Sequence, residues 1–155
     1  MLRPLQQSDV ERLSQLWLHL ACSSHPSLPV KFWMAQARIL RRELSAKCRG
    51  RGVGSDGTSH WVYTRPGSDV AEGLITISNN RRVETIFVSP GEQGHGVGSA
   101  LMEQAKFGRV QLEACVLEEN LRGRYFLQQH GFAETARKHN KAANQDEIYM
   151  NCRVA

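Results

Sequence analysis

Hydrophobic positions recur along this chain with two periods, and the switches between them lay out its elements. Val10, Leu13, Leu16, Trp17 and Leu20 follow at helical spacing, predicting an amphipathic helix from about residue 9 to about 22. Ser8-Asp9-Val10-Glu11 fits a capping box at its start, and Cys22-Ser23-Ser24-His25-Pro26 stops it. A second helix, from about 30 to about 45, buries Trp33, Ala37, Leu40 and Leu44 and exposes Arg41, Arg42 and Glu43. Period-two or continuous apolar runs predict strands over 2–6, 60–64, 70–78 and 83–88. Asn79-Asn80, two residues tolerant of positive φ, form the hairpin tip between the last two. Val110, Leu112, Ala114 and Val116 alternate with Gln111, Glu113, Cys115 and Leu117 in a further strand. Two more begin at Phe132 and Glu147. Ser45 to Ser59 reads as a loop. Its Gly50-Arg51-Gly52-Val53-Gly54 has no strand before it and no amphipathic helix after it, so it reads as a connector.

The chain is organised around residues 83–102. Val83 to Val88 is an apolar, β-branched strand ended by Pro90, and Val97, Ala100, Leu101 and Ala105 resume at helical spacing. Between them lies Gln93-x-x-Gly96-x-Gly98. A strand, a glycine turn and a helix start make an anion site, because the first-turn amides lack intrahelical acceptors and the macrodipole adds partial positive charge. The expected ligand is a phosphate-bearing cofactor. A Walker loop needs Gly-Lys-Ser/Thr, and this turn has no lysine. A dinucleotide fingerprint needs G-x-G-x-x-G, which Gly94-x-Gly96-x-Gly98 does not match. A strand–helix–strand order makes a right-handed crossover, so the strand after the helix should lie parallel to the one before it.

Downstream, Asn120 is a good N-cap, Gly131 a left-handed C-cap, and Phe132 opens the next strand. The Q-x-x-G-x-G turn after a V-x-P strand end resembles the pyrophosphate loop of the GCN5-related N-acetyltransferases (the GNAT superfamily). The asparagine, the aromatic-bearing helix and the Gly-Phe eleven residues after the asparagine resemble its second signature. The order of elements also resembles small bacterial acetyltransferases of the YjaB type, with a short N-terminal helical region. The resemblance implies an α/β fold: a mixed, mostly antiparallel seven-stranded sheet flanked by about four helices, with residues 1–155 as one domain. It implies an acetyl-CoA-dependent N-acetyltransferase, with a small-molecule or peptide amine as acceptor and a monomeric or homodimeric state; the alternatives are an acyl-CoA-binding or sensing module with little catalysis and a toxin-type acetyltransferase of aminoacyl-tRNA.

The resemblance also assigns roles. Backbone groups of Phe87 and Val88 would meet the pantetheine, with the Val88 amide as oxyanion donor. The amides from Gly94 through His95, Gly96, Val97 and Gly98 to Ser99, with the Gln93 side chain, would take the pyrophosphate. Asn120 would contact the pantetheine arm. Glu84, four residues before Val88, is the candidate base, better placed than Arg82. Both numbers share parity with Val88, so one sheet face is expected for all three. Glu84 reads equally as a surface partner of Arg81 or Arg82. The family's usual acid, a tyrosine four residues before the glycine of Gly-Phe, is here Leu127, beside the thioester. Tyr125 is the nearest phenol, but it lies roughly 200° round the helix. Cys115 and Ser99 are weaker donors. His25, Phe32 and Trp33 are acceptor-wall candidates, and His130 reads as structural, meeting the helix's negative end.

Composition adds little to this picture. The 155 residues carry net charge +5, with 41% hydrophobic and 23% charged content, which suits an anionic cofactor and leaves nucleic acid as a possible partner. Cys22, Cys48, Cys115 and Cys152 form no C-x-x-C pair, so reduced thiols and no metal site are expected. No 18-residue apolar run and no leader pattern is visible, which points to a cytoplasmic protein without membrane association.

Overall fold

The computed structural model describes residues 1–49 and 57–154. Strand β1 (Leu2–Pro4) leads into a short 3-10 turn, then helices α1 (Val10–Ser24) and α2 (Val30–Arg49). Strands β2 (Ser59–Tyr63), β3 (Gly73–Ser78) and β4 (Arg82–Val88) follow, then helix α3 (Val97–Lys106) and strand β5 (Gln111–Leu117). Helix α4 (Leu121–Gln129) and strands β6 (Ala133–Asn140) and β7 (Gln145–Arg153) complete the chain. The seven strands form one sheet in the order β1-β2-β3-β4-β5-β7-β6, antiparallel throughout except for parallel β4 and β5. Expected and observed architecture agree.

Local differences have local causes. The capping box starts two residues earlier than expected, with Gln6 in the place of Ser8 and Asp9 in that of Glu11: the Asp9 carboxylate accepts from the Gln6 amide at 2.8 Å and forms a bidentate pair with Arg3. Helix α2 runs on to Arg49, beyond the expected end, because nothing between Leu44 and Arg49 breaks a helix. The Gly50–Gly54 stretch, expected to be a connector, lies outside the described residues. The hairpin tip is as expected, with Asn79 and Asn80 at φ 51° and 56°.

The sheet buries both faces. On one, α3 and α4 pack Leu101, Met102 and Leu127 over Ile75, Ile77, Val83 and Val88. On the other, α1 and α2 pack Leu13 and Leu44 over Val62, Leu74 and Phe87. Each fully buried side chain of this size contributes roughly 1.5–3 kcal/mol.

Strand β4 carries a bulge that corrects the expected facing. Thr85 pairs with Thr76 but Val83 with Ile77, so Glu84 has no partner on β3. Such a bulge resets the side-chain alternation. Val83 therefore joins Val88 in the α3-side core despite its odd number. Ser78, one residue from inward-facing Ile77, points to the α1–α2 face and donates to the Glu84 carboxylate at 2.6 Å. Glu84 and Arg82 share that face, and Val88 lies on the other.

Candidate active site

The parallel pairing of β4 and β5 covers only Arg82↔Glu113 and Val83↔Ala114. Past that point the strands part, and a cleft of about 700 Å³ opens between them. The antiparallel ladder shows which backbone groups line the gap. The Ser89 amide donates to the Glu72 carbonyl at 2.7 Å, so the Ser89 N–H points to the β3 side. Alternation then gives Phe87's N–H and C=O to Leu74 of β3 and turns those of Ile86 and Val88 toward β5. The Phe87 backbone, expected to face the cofactor, is thus committed to β3, and the groups facing the gap are those of Ile86 and Val88. The Gln93 side chain lines the cleft, and its amide donates back to the Val88 carbonyl at 3.0 Å and closes the turn.

Gly94 and Gly96 sit at φ 81° and 80°, the left-handed region that only glycine enters freely. Gly96 caps α3, so the amides of Val97, Gly98 and Ser99 precede the first intrahelical bond, from Ala100 to the Gly96 carbonyl. Gly94, Gly96, Val97, Gly98 and Ser99 line the cleft; His95 is exposed and outside its lining. A Cβ on Gly98 would stand 2.9 Å from Phe126 Cε1, so this glycine also lets α3 approach α4.

Across the gap, Asn120 caps α4, its side chain accepting from the Gly123 amide at 3.0 Å. A Cβ at Gly123 would lie 2.6 Å from Asn120 Nδ2, so any side chain there displaces the asparagine. Leu127 lines the cleft and is buried, whereas Tyr125 is 63% exposed and outside it. The helix thus separates the two as its pitch requires. Tyr125→Phe should leave kcat and thermal stability unchanged. Leu127→Tyr should raise kcat by supplying a phenol at the cleft wall, while overpacking lowers stability by about 1–3 kcal/mol. Steady-state kinetics with thermal melts check both, and a large kcat loss in Tyr125→Phe would reinstate that residue as the acid.

The cleft continues through the sheet to the α1–α2 face, where Trp17, His25 and Trp33 form its wall. The His25 and Trp33 rings lie 4.5 Å apart, and Phe32 packs on Trp33 from outside the lining. His25 is buried, its Nδ1 2.7 Å from the Ala21 carbonyl. The Glu119 carboxylate accepts from Ser27 Oγ at 2.6 Å and from Gln145 Nε2 at 3.1 Å, tying the α1–α2 loop to the far bank. Glu84 opens onto this end of the cleft and stands 4.0 Å from Arg82; Arg81 pairs with Glu113 instead. Cys115 lines the same end, and burial, with Glu147 nearby, pushes its thiol up to about 11.

Two features escaped the sequence reading. Glu72, 8% exposed, bonds Arg12 of α1 and accepts from Ser89 Oγ at 3.0 Å, pinning the start of the glycine turn. Its position among small apolar residues carries no signal of this. The ring of His130, read as structural, lines the cleft.

An open strand edge, a glycine turn and a helix start converging on one cleft suit an elongated thioester cofactor bearing a pyrophosphate. They define an acyl-CoA-dependent transferase of the α/β class. The acetyltransferase (GNAT) domain family matches residues 56–134, and the chain belongs to that family. Acetyl-CoA is accordingly its acyl donor. The chain is 25% identical over 132 residues to the peptidyl-lysine N-acetyltransferase YiaC of Escherichia coli, covering 85% of this chain and 82% of that protein. The solution structure of apo YjaB from Escherichia coli superposes with a TM-score of 0.79 at 20% identity, covering 97% and 95% of the two chains. The PaiA N-acetyltransferase of Thermoplasma acidophilum, solved with coenzyme A, gives a TM-score of 0.80 at 15% identity, over 99% and 98%. No described helix is long and apolar enough to cross a membrane.

Proposed function

We propose that this protein transfers the acetyl group of acetyl-CoA directly to a primary amine, both substrates being bound together. The observation that carries this reading is a single cleft open to both sheet faces. The α3 amides line it on one side, and Glu84 with the aromatic wall lines it on the other. The cofactor supplies an acetyl thioester. Residues 94–99 and the Ile86 and Val88 backbone would hold it, with Asn120 on the opposite bank. The Val88 N–H is the donor assigned to the acetyl oxygen, a contact worth about 10²–10³ in rate where well placed. Glu84 takes the amine's proton through water. With Leu127 in the acid's place, the departing thiolate takes its proton from solvent. A Cys115 thiol that ionises only near 11 is a poor nucleophile at neutral pH, which favours direct attack over an acetylated enzyme.

The acceptor to test first is the lysine side chain of a peptide, by the likeness to the Escherichia coli protein named for that activity. Calorimetric titration of acetyl-CoA, followed by thiol release with lysine peptides, small amines and charged tRNA, tests the proposal. Faster thiol release with an amine supports it. Tight cofactor binding with no acceptor in the panel would make the protein a coenzyme A-binding module.

A further inference from the structure

We propose that His130 is a further cofactor-binding residue, its imidazole sharing a phosphate of coenzyme A with Ser99 and the first-turn amides of α3. The inference rests on the reading of the cleft as a coenzyme A site.

The ring is held in place before any ligand arrives. Gly131, at φ 90°, ends α4, and the Phe132 amide returns to the Leu127 carbonyl at 3.0 Å. The His130 carbonyl accepts from Lys106 Nζ at 2.9 Å and from Cys152 Sγ at 3.5 Å, so α3 and β7 both fix its backbone. The imidazole lies over Phe126, centroids 4.5 Å apart, and Phe126 in turn crowds Gly98. Its Nε2 is 3.3 Å from the hydroxyl of Ser99. Ser99 is the third residue of α3, where free amides point at the same cleft. The imidazole therefore stands beside the anion-holding end of the cleft, with a nitrogen at its edge.

The charged groups around it set the sign of the pH dependence. Burial, then the Lys106 ammonium, hold its pKa below the ordinary value; Glu103, also on α3, opposes them. In the free protein these surroundings favour the neutral ring. A phosphate beside it favours the imidazolium, so binding takes up protons and affinity rises as pH falls from 8 toward 5.5.

Dephospho-coenzyme A is the probe, because it lacks the 3′-phosphomonoester whose own titration would intrude. Calorimetry of the full-length protein in buffers of different ionisation enthalpy should report net proton uptake near pH 6.5. The dissociation constant should tighten about three- to tenfold between pH 8 and 5.5, the scale of one charge-assisted contact. His130→Gln should bind with no proton uptake and a flat profile. His130→Arg, permanently charged, should bind tightly at both ends of the range. Binding by wild type without proton uptake would overturn the proposal while leaving the cleft's assignment intact, as would equal uptake by His130→Gln. Failure of wild type to bind coenzyme A at all would overturn both.

Discussion

Gly98→Val is expected to weaken coenzyme A binding at least about tenfold, a loss of roughly 1.4 kcal/mol. Two effects combine in that loss. The new Cβ would approach Phe126 Cε1 to 2.9 Å, and its two methyls need still more room, so Phe126 must swing within the cleft it lines. The same methyls stand over the free amides of the first turn, where the pyrophosphate is to sit. Gly96→Ala reaches a similar result by another route. Nothing lies within 4 Å of its Cβ, so no clash arises, but φ of 80° costs a side-chain-bearing residue about 1–2 kcal/mol. The turn relieves that strain by rotating amides away from the cleft. Both variants should remain folded in thermal melts, because the substituted positions lie at the rim of the α3-side core. Calorimetric titration decides the matter: a variant that binds as tightly as wild type removes the phosphate-loop assignment.

Glu84→Gln is expected to lower kcat by about 10²–10⁴-fold, the range over which a positioned base acts, with cofactor affinity unchanged. Glutamine keeps an acceptor for the Ser78 hydroxyl, so the strand should hold its shape. Only a carboxylate accepts the amine's proton, so the wild-type pH–rate profile should carry an acidic limb. The variant should lose that acidic limb. An unchanged limb with unchanged kcat would assign Glu84 to its pairing with Arg82 and Ser78 alone.

The residues of these two predictions differ in how legible they were. The glycine turn declares itself locally. A left-handed glycine, a helix start and an apolar strand end are each written within a few residues, and their order alone implies an anion site. Glu84 was visible as a carboxylate at the right spacing, but its direction was not. The facing rule assumes unbroken alternation, and the bulge that breaks it arises from pairing with Thr76 and Ile77 on another strand. Phe87 and Ile86 were exchanged for the same reason, because which backbone groups a ladder uses depends on its partner strand.

The chain by itself determined the elements, their order, the Asn79-Asn80 tip, the Gly131 cap and the parallel crossover. All of these follow from periodicity, capping and turn chemistry, which act over neighbouring residues. The resemblance to the family placed Leu127 at the cleft, and helix pitch alone then turned Tyr125 away from it. Only the tertiary structure decided the rest. It parted β4 from β5 after two paired positions and brought Arg12, Glu72 and Ser89 together behind the glycine turn. It joined Ser27 to Glu119 and Gln145 across the cleft and set His130 against Ser99. The physical reason is that hydrogen bonds and ion pairs between residues dozens of positions apart leave no period in the sequence. They exist only once sheet register and helix packing have carried those residues to the same place.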